Sequence, residues 1–346
     1  MLIQKYSADN VYCQSGKTSI SYKNILLQFF AAYAGAILTF HLQLFHQTAI
    51  ASSAITTCVI WLLLLPAHKD KRYLILAVYC GSFAGMSNFC YDCAQSKASI
   101  YYQTVAFSFA AALSYVIIQL LSTHFPKPML KGYGGRLGTI AFISSYLYSL
   151  MLSKGRDSVD LYEIIASPEI LKNYIPYAII ACGGSITPFL LIRKKWNNID
   201  EYFLTGLTAF LGLIGNFLFS IFFADLTLAP AAFYTGLFVS MTKSNLCSPR
   251  ALAVAGGLSG LLMLYVLAVF SGIGGSLGLT AMLSVLCVTV FLLPAACRVH
   301  FLWRKPLAFS VIAGIVVGSC AASYFYPAVV QSTGAWKTEI VESRLP

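Results

Sequence analysis

The feature that most constrains this chain is a pair of apolar, glycine-rich motifs that each occur twice, in the same order. Residues 79–87, YCGSFAGMS, return as residues 234–242, YTGLFVSMT. Residues 134–144, GGRLGTIAFIS, return as residues 274–284, GGSLGLTAMLS. A weaker echo relates GAILTF at 35–40 to GSITPF at 184–189. Self-similarity of this kind predicts a chain that folds as two copies of one unit.

Composition predicts that both units lie in a membrane. The chain is 58% hydrophobic and 10% charged, whereas a soluble domain has about 25% charged residues. Because residues 1–23 lack the pattern of a cleavable signal peptide, we expect the first membrane helix to act as its own insertion signal. The net charge of +11 lies in short loops between apolar runs, where it indicates membrane topology and not a nucleic-acid partner.

Apolar runs of about 20 residues predict membrane helices. The sequence contains eleven apolar runs of 15 to 25 residues, which we interpret as spans, at 24–45, 48–66, 73–87, 98–122, 135–152, 174–192, 202–223, 228–242, 250–271, 275–293 and 306–326. With the N-terminus in the cytoplasm, 17 of the 23 Lys and Arg residues fall on the cytoplasmic side, as the positive-inside rule requires. We therefore expect a multi-pass protein of a plasma (bacterial inner) membrane, with its C-terminus outside.

These spans predict an all-α integral membrane protein with a 5+5 inverted repeat and one extra C-terminal helix. Because five is an odd number, the second copy must enter the membrane from the opposite face. The expected order is a cytoplasmic segment (1–23), repeat 1 (24–152), an outer loop (153–173), repeat 2 (174–293), the extra helix (306–326) and an outer tail (327–346).

Two interrupted spans and two glycine turns form the candidate site. Spans 73–87 and 228–242 are too short to cross the bilayer, and paired interrupted helices indicate a binding site between inverted repeats. The glycine motifs open spans five and ten, where free N–H groups attract negative charge or a carbonyl oxygen. The predicted substrate-binding or pore-lining residues are Gly81, Phe83, Gly85, Met86, Ser87, Gly134, Gly135, Arg136, Gly138, Thr139, Gly236, Phe238, Ser240, Met241, Thr242, Gly274, Gly275, Ser276, Gly278 and Thr280.

A second interpretation of the same glycines stays open at this point. Many of them have GxxxG spacing, which lets membrane helices pack closely without any ligand. Arg136 has Ser276 as its counterpart, so its charge is also explained as a topology signal. Serine and threonine hydroxyls within helices can bond to carbonyls of their own helix.

The function expected from these features is a channel or secondary transporter for a small anion or a small polar neutral solute. No Asp or Glu falls inside a predicted span, which argues against a carboxylate-based carrier of protons or metal cations. No nucleotide-binding or catalytic motif occurs, so we expect no enzyme activity, no cofactor and no metal. Cys90 and Cys93 form a lone CxxC, which favours a disulfide or free thiols over half of a metal site.

Two other functions remain alternatives. One is a non-transporting scaffold or sensor subunit whose glycines only pack helices. The other is a membrane-embedded transferase that uses the acidic outer loop around 157–169. The expected partners are the solute and the lipid bilayer, with assembly into a homo-oligomer left open and no nucleic acid.

Overall fold

The computed structural model describes residues 22–45, 47–66, 71–88, 97–124, 132–152, 168–192, 200–223, 225–243, 247–270 and 272–292. These residues form helices and connecting turns, with no strand among them. The ten helices are α1 Tyr22–Leu44, α2 Ala49–Leu64, α3 Leu74–Gly85, α4 Lys97–His124, α5 Arg136–Leu152, α6 Pro168–Ile192, α7 Glu201–Phe222, α8 Ala229–Ser240, α9 Pro249–Val269 and α10 Ser276–Leu292.

The all-helical prediction is confirmed for this part of the chain. The ten helices coincide with the first ten predicted spans, although α6 begins at Pro168 instead of residue 174. The predicted extra helix at 306–326, both terminal segments and most of the outer loop lie outside the described residues, as do Cys90 and Cys93.

The surface of the helices is apolar. Five of them, α1, α4, α6, α7 and α9, are long and apolar enough to cross a membrane. Large side chains such as Leu63, Leu190 and Phe217 are about two-thirds exposed, and apolar surface of this extent is unfavourable in water. Charged residues in the described helices occur only within the first five positions. These features are typical of a membrane-embedded protein.

Local sequence signals fix several helix starts. Thr48, Asp200 and Ser248 are the N-caps of α2, α7 and α9, and each side chain accepts a hydrogen bond from a backbone N–H in the first turn, at 3.2 to 3.3 Å. Such caps satisfy N–H groups that have no partner within the helix. Pro249 follows Ser248 at the first position of α9, where proline is favoured.

Glycine lets α1 cross α3, and α6 cross α8, at backbone distance. Two glycines at each crossing face a carbonyl of the other helix so closely that a Cβ atom would overlap its oxygen: Gly35 faces Val78, Gly81 faces Ala32, Gly184 faces Phe233 and Gly236 faces Ala181. Small residues at such crossings permit close packing in membranes. The packing interpretation therefore accounts for these four glycines.

The helices that carry the repeated motifs pack together at the centre. α3 contacts α5, α8 contacts α10, and α5 contacts α10. On another side of α3 and α8 lie α2 and α7, which also contact each other. This arrangement brings the two halves of the chain together through their motif-bearing helices.

Candidate functional site

Two turns with left-handed glycines precede α5 and α10. Gly135 and Gly275, immediately before these helices, have φ of 81° and 84°, and Gly132 and Gly272 have φ of 90° and 72°. Positive φ is a conformation that glycine adopts readily and side-chain-bearing residues rarely do. The matching angles show that the two motif copies, although different in sequence, form the same turn.

The two short helices end beside these turns. α3 and α8 have 12 residues each, about 18 Å of helix, which is less than the thickness of a bilayer core. Just beyond each end, a hydroxyl donates to a carbonyl three residues back: Ser87 Oγ to Ala84 O at 2.8 Å and Thr242 Oγ1 to Val239 O at 2.7 Å. These local bonds orient the two hydroxyl oxygens as acceptors.

Each of these hydroxyls accepts a hydrogen bond from the turn of the other motif. The Gly134 N–H donates to Thr242 Oγ1 at 3.0 Å, and the Gly274 N–H donates to Ser87 Oγ at 2.8 Å. All four residues are buried. These two N–H groups, which the sequence suggested for a solute, therefore have partners within the protein.

A second pair of bonds joins the same segments through the backbone. The Lys243 N–H donates to Gly132 O at 2.8 Å, and the Asn88 N–H donates to Gly272 O at 2.9 Å. The end of each short helix is thus tied to the opposite glycine turn by one hydroxyl bond and one backbone bond. The two sets of bonds are reciprocal, since residues at matching motif positions make matching contacts.

The starts of α5 and α10 are in direct backbone contact. A Cβ added at Gly138 would lie 2.6 Å from Gly278 Cα, and one added at Gly135 or Gly275 would overlap a carbonyl oxygen of the other helix. Thr139 Oγ1 donates to Gly135 O at 3.1 Å, and Thr280, one motif position further along in α10, donates to Ser276 O at 2.9 Å. Glycine is therefore required here for contact between the two helices.

Four aromatic rings lie between α3 and α8, and we call them the aromatic quartet: Tyr79, Phe83, Tyr234 and Phe238. The Phe83 and Phe238 ring centroids are 4.9 Å apart with an angle of 70°, and within each helix the Tyr and Phe rings are 4.2 and 4.4 Å apart. The ring centroids of each tyrosine and the phenylalanine of the other helix are also at similar distances, 6.0 Å for Tyr79–Phe238 and 6.4 Å for Tyr234–Phe83. All four side chains are at most 2% exposed. The quartet fills the space between the short helices.

The structure buries most of the predicted lining residues, while Met86, Arg136 and Met241 are half-buried. It brings Phe83, Phe238, the two hydroxyls and the turn glycines together at the centre. Three predicted site glycines lie elsewhere, because they face α1 or α6: Gly81, Gly85 and Gly236. Ser240 and Thr280 bond to carbonyls of their own helices.

The two tyrosines of the quartet were not among the residues predicted from the sequence. They occupy the first position of the repeated motif, two residues before the glycine on which that prediction rested. Their repetition was the available signal. An aromatic residue in an apolar helix, however, is indistinguishable in sequence from ordinary core.

A separate, partly open cleft lies where the C-terminal end of α2 meets the start of α7. Trp61, Arg72 and Asp200 are among its lining residues, and the Arg72 side chain donates to Leu65 O at 3.2 Å. None of the repeated-motif residues lines it. We therefore centre the candidate site on the quartet and the glycine turns.

The described residues contain no group of three His, Cys, Asp or Glu side chains that could hold a metal. Fold and composition together define a class, that of helical proteins with apolar, membrane-compatible helices. Comparison with known proteins finds no matching family model, no matching curated protein and no matching solved structure.

Proposed function

We propose that this chain is a transport protein of the plasma membrane, a channel or secondary transporter, built from two inverted repeats of five helices with an extra helix after them. The observation that carries the proposal is the reciprocal bonding of the short helix ends and the glycine turns. When matching residues make matching contacts with each other's segments, the two segments are related by a twofold axis. An approximate twofold axis between two halves is the relation that inverted repeats have in transporters.

The buried irregular backbone also supports transport. Backbone that leaves a helix at membrane depth occurs where it is buried in protein or lines a wet cavity. Here two helices end early, and their ends meet two left-handed turns at the centre of the fold. Paired broken helices at matching places are the arrangement in which transporters hold their solutes.

In this proposal, the rings of the aromatic quartet close the route in the conformation described above. Phe83 and Phe238 lie edge to face between the two repeats, so a solute passing between α3 and α8 would have to displace them. We propose a small anion or a small polar neutral solute, because the charged residues of the described helices all lie near helix starts. The half-buried Arg136 at the start of α5 would attract an anion to one end of the route. In this proposal the protein is not an enzyme.

Flux through reconstituted protein tests the proposal. Proteoliposomes would be assayed for urea entry by light scattering and for chloride entry with a quenchable dye. We expect Phe83→Leu and Phe238→Leu to raise the flux of the transported solute, because each replaces one ring of the Phe83–Phe238 contact with a smaller side chain. Phe142→Leu is the matched control, because Phe142 is a buried ring of α5 that stacks with Tyr146, outside the quartet.

The alternatives predict other outcomes. If neither wild-type protein nor the quartet variants pass any solute above empty vesicles, the transport proposal is wrong and the scaffold or sensor interpretation takes its place. If the control variant raises flux as much as the quartet variants do, the route does not run between α3 and α8.

A further inference from the structure

Two buried hydroxyls of the aromatic quartet make no hydrogen bond of normal geometry. The side chains of Tyr79 and Tyr234 are 0% exposed, and neither phenol oxygen makes a hydrogen bond of normal geometry with a protein group. The two hydroxyls nevertheless lie close enough to interact, and that of Tyr234 also lies near Ser53 of α2. An unsatisfied buried hydroxyl costs about 1–3 kcal/mol, so a pair of them at the centre of a fold needs a physical reason.

The side-chain oxygen of Ser53 can accept a hydrogen bond beside this pair. Its oxygen lies 2.9 Å from that of Ser82, and Ser82 donates its own proton to Tyr79 O at 2.9 Å. Ser53 must therefore be the donor to Ser82, because a hydroxyl has a single proton. The lone pairs of the Ser53 oxygen are then available on a residue that is itself 0% exposed.

A third hydroxyl without a partner lies on the neighbouring helix. Thr208 of α7 is 0% exposed, and its oxygen makes no hydrogen bond. One helical turn further on, Gly212 is in such close contact with the ring of Tyr234 that a Cβ there would overlap it. Residues four apart lie on the same face of a helix, so Thr208 is on the face of α7 turned toward Tyr234.

The helices around this cluster carry almost no charge. α2, α3 and α8 contain no charged residue, and the single one in α7 is Glu201, at its first position. An ion held among these helices would be desolvated without a compensating partner, which is strongly unfavourable. A neutral molecule that both donates and accepts hydrogen bonds would instead satisfy the phenols and the Ser53 oxygen together.

We infer that Tyr79, Tyr234, Ser53 and Thr208 form a binding site for a small neutral solute of the amide or urea type. The inference rests on the proposed function and narrows it, because it selects the neutral solute over the anion. The site adjoins the Phe83–Phe238 contact, since each tyrosine ring packs on the phenylalanine of its own helix. A solute that moves between the repeats would meet these hydroxyls where the rings close the route.

The experiment combines flux with an independent measurement of stability. Proteoliposomes containing wild-type protein, Tyr79→Phe, Tyr234→Phe or the double variant would be assayed for urea and chloride entry. Tyr115→Phe is the matched control, because Tyr115 is a buried tyrosine of α4 whose hydroxyl is hydrogen-bonded by Gln119 at 3.0 Å. We expect either quartet variant to lower urea flux at least tenfold, the double variant to lower it further, and the control to leave it unchanged.

Several results would overturn the inference. If urea flux in the double variant equals that in the control, the transported solute does not bind the Tyr79 and Tyr234 hydroxyls. Chloride entry without urea entry in wild-type protein would leave the transport proposal standing and refute the neutral site, whereas entry of neither solute would refute both. Thermal unfolding in detergent adds a test that needs no transport. Without solute, removal of an unsatisfied buried hydroxyl should raise the unfolding midpoint. If Tyr79→Phe and Tyr234→Phe instead lower it, the hydroxyls already have partners within the protein and the inference is wrong.

Discussion

Removal of the Ser87 hydroxyl tests whether the reciprocal bonds hold the two halves of the chain together. This oxygen donates to Ala84 O and accepts from the Gly274 N–H, both at 2.8 Å, and the side chain is 1% exposed. Ser87→Ala therefore leaves the N–H of a buried glycine without an acceptor. Thr242→Val does the same to the Gly134 N–H while it keeps the shape of the side chain.

The expected size of the effect follows from the burial of these groups. A buried donor left unsatisfied costs about 1–3 kcal/mol, which is more than the net contribution of an average hydrogen bond. We expect each substitution to lower the free energy of unfolding by about that amount. Because the two bonds use separate donors and acceptors, the double variant should lose about 2–6 kcal/mol, close to the sum of the single effects.

Equilibrium unfolding of the purified protein in detergent micelles provides the measurement. Ser144→Ala is the control, because Ser144 is also buried and its Oγ makes the same local bond, to Ala141 O at 2.8 Å, without a bond to the other half of the chain. If Ser87→Ala destabilises the protein no more than Ser144→Ala does, the bonds between the motifs do not contribute to stability and the argument for paired halves loses its energetic basis.

Two further predictions follow from the fold. Gly138→Ala and Gly278→Ala should each lower the free energy of unfolding by about 1–3 kcal/mol, because the added Cβ would lie within 2.6 Å of the facing helix and overpack the contact. Gly183→Ala is the control in the same unfolding assay. It should be neutral or slightly stabilising, because an added Cβ there has nothing within 4 Å. Cysteines introduced at Lys69 and Lys194 into a cysteine-free background should both react with a membrane-impermeant maleimide from the cytoplasmic side, as the predicted topology requires; labelling from opposite sides would refute the span count.

The positions of the helices could be predicted because hydropathy and glycine punctuation are local signals. The short lengths of α3 and α8 and the turns before α5 and α10 were also visible in the sequence, and the structure has them where expected. α6 begins earlier than predicted because its first residues are polar, so the apolar run from which the span was predicted starts only near residue 174.

Which face of each short helix meets which neighbour could not be predicted. α3 and α8 are apolar on all sides, so no hydrophobic stripe marks an inner face. Gly81 and Gly236 were assigned to the site by their place in the motif, yet they serve the crossings with α1 and α6. The bonds of Ser87 and Thr242 to the opposite turns depend on contacts between residues more than 100 positions apart, for which one sequence contains no signal.

Residues that are the same kind in both motif copies shape the centre of the fold, whereas residues that differ between the copies determine its polarity. The turn glycines, the hydroxyl after each short helix and the Tyr–Phe pairs occur in both copies, and all of them have reciprocal contacts. Ser82, which orients Ser53, corresponds by its place in the motif to Leu237, and Arg136 corresponds to Ser276. Any two-sided route between the repeats is therefore symmetric in shape and unequal in polarity. A solute held at the tyrosine pair would meet the Ser53 oxygen on the first half of the chain and the Thr208 hydroxyl on the second. The substitution Ser53→Ala should therefore weaken solute binding, and Ser53→Ala combined with Thr208→Val should weaken it further.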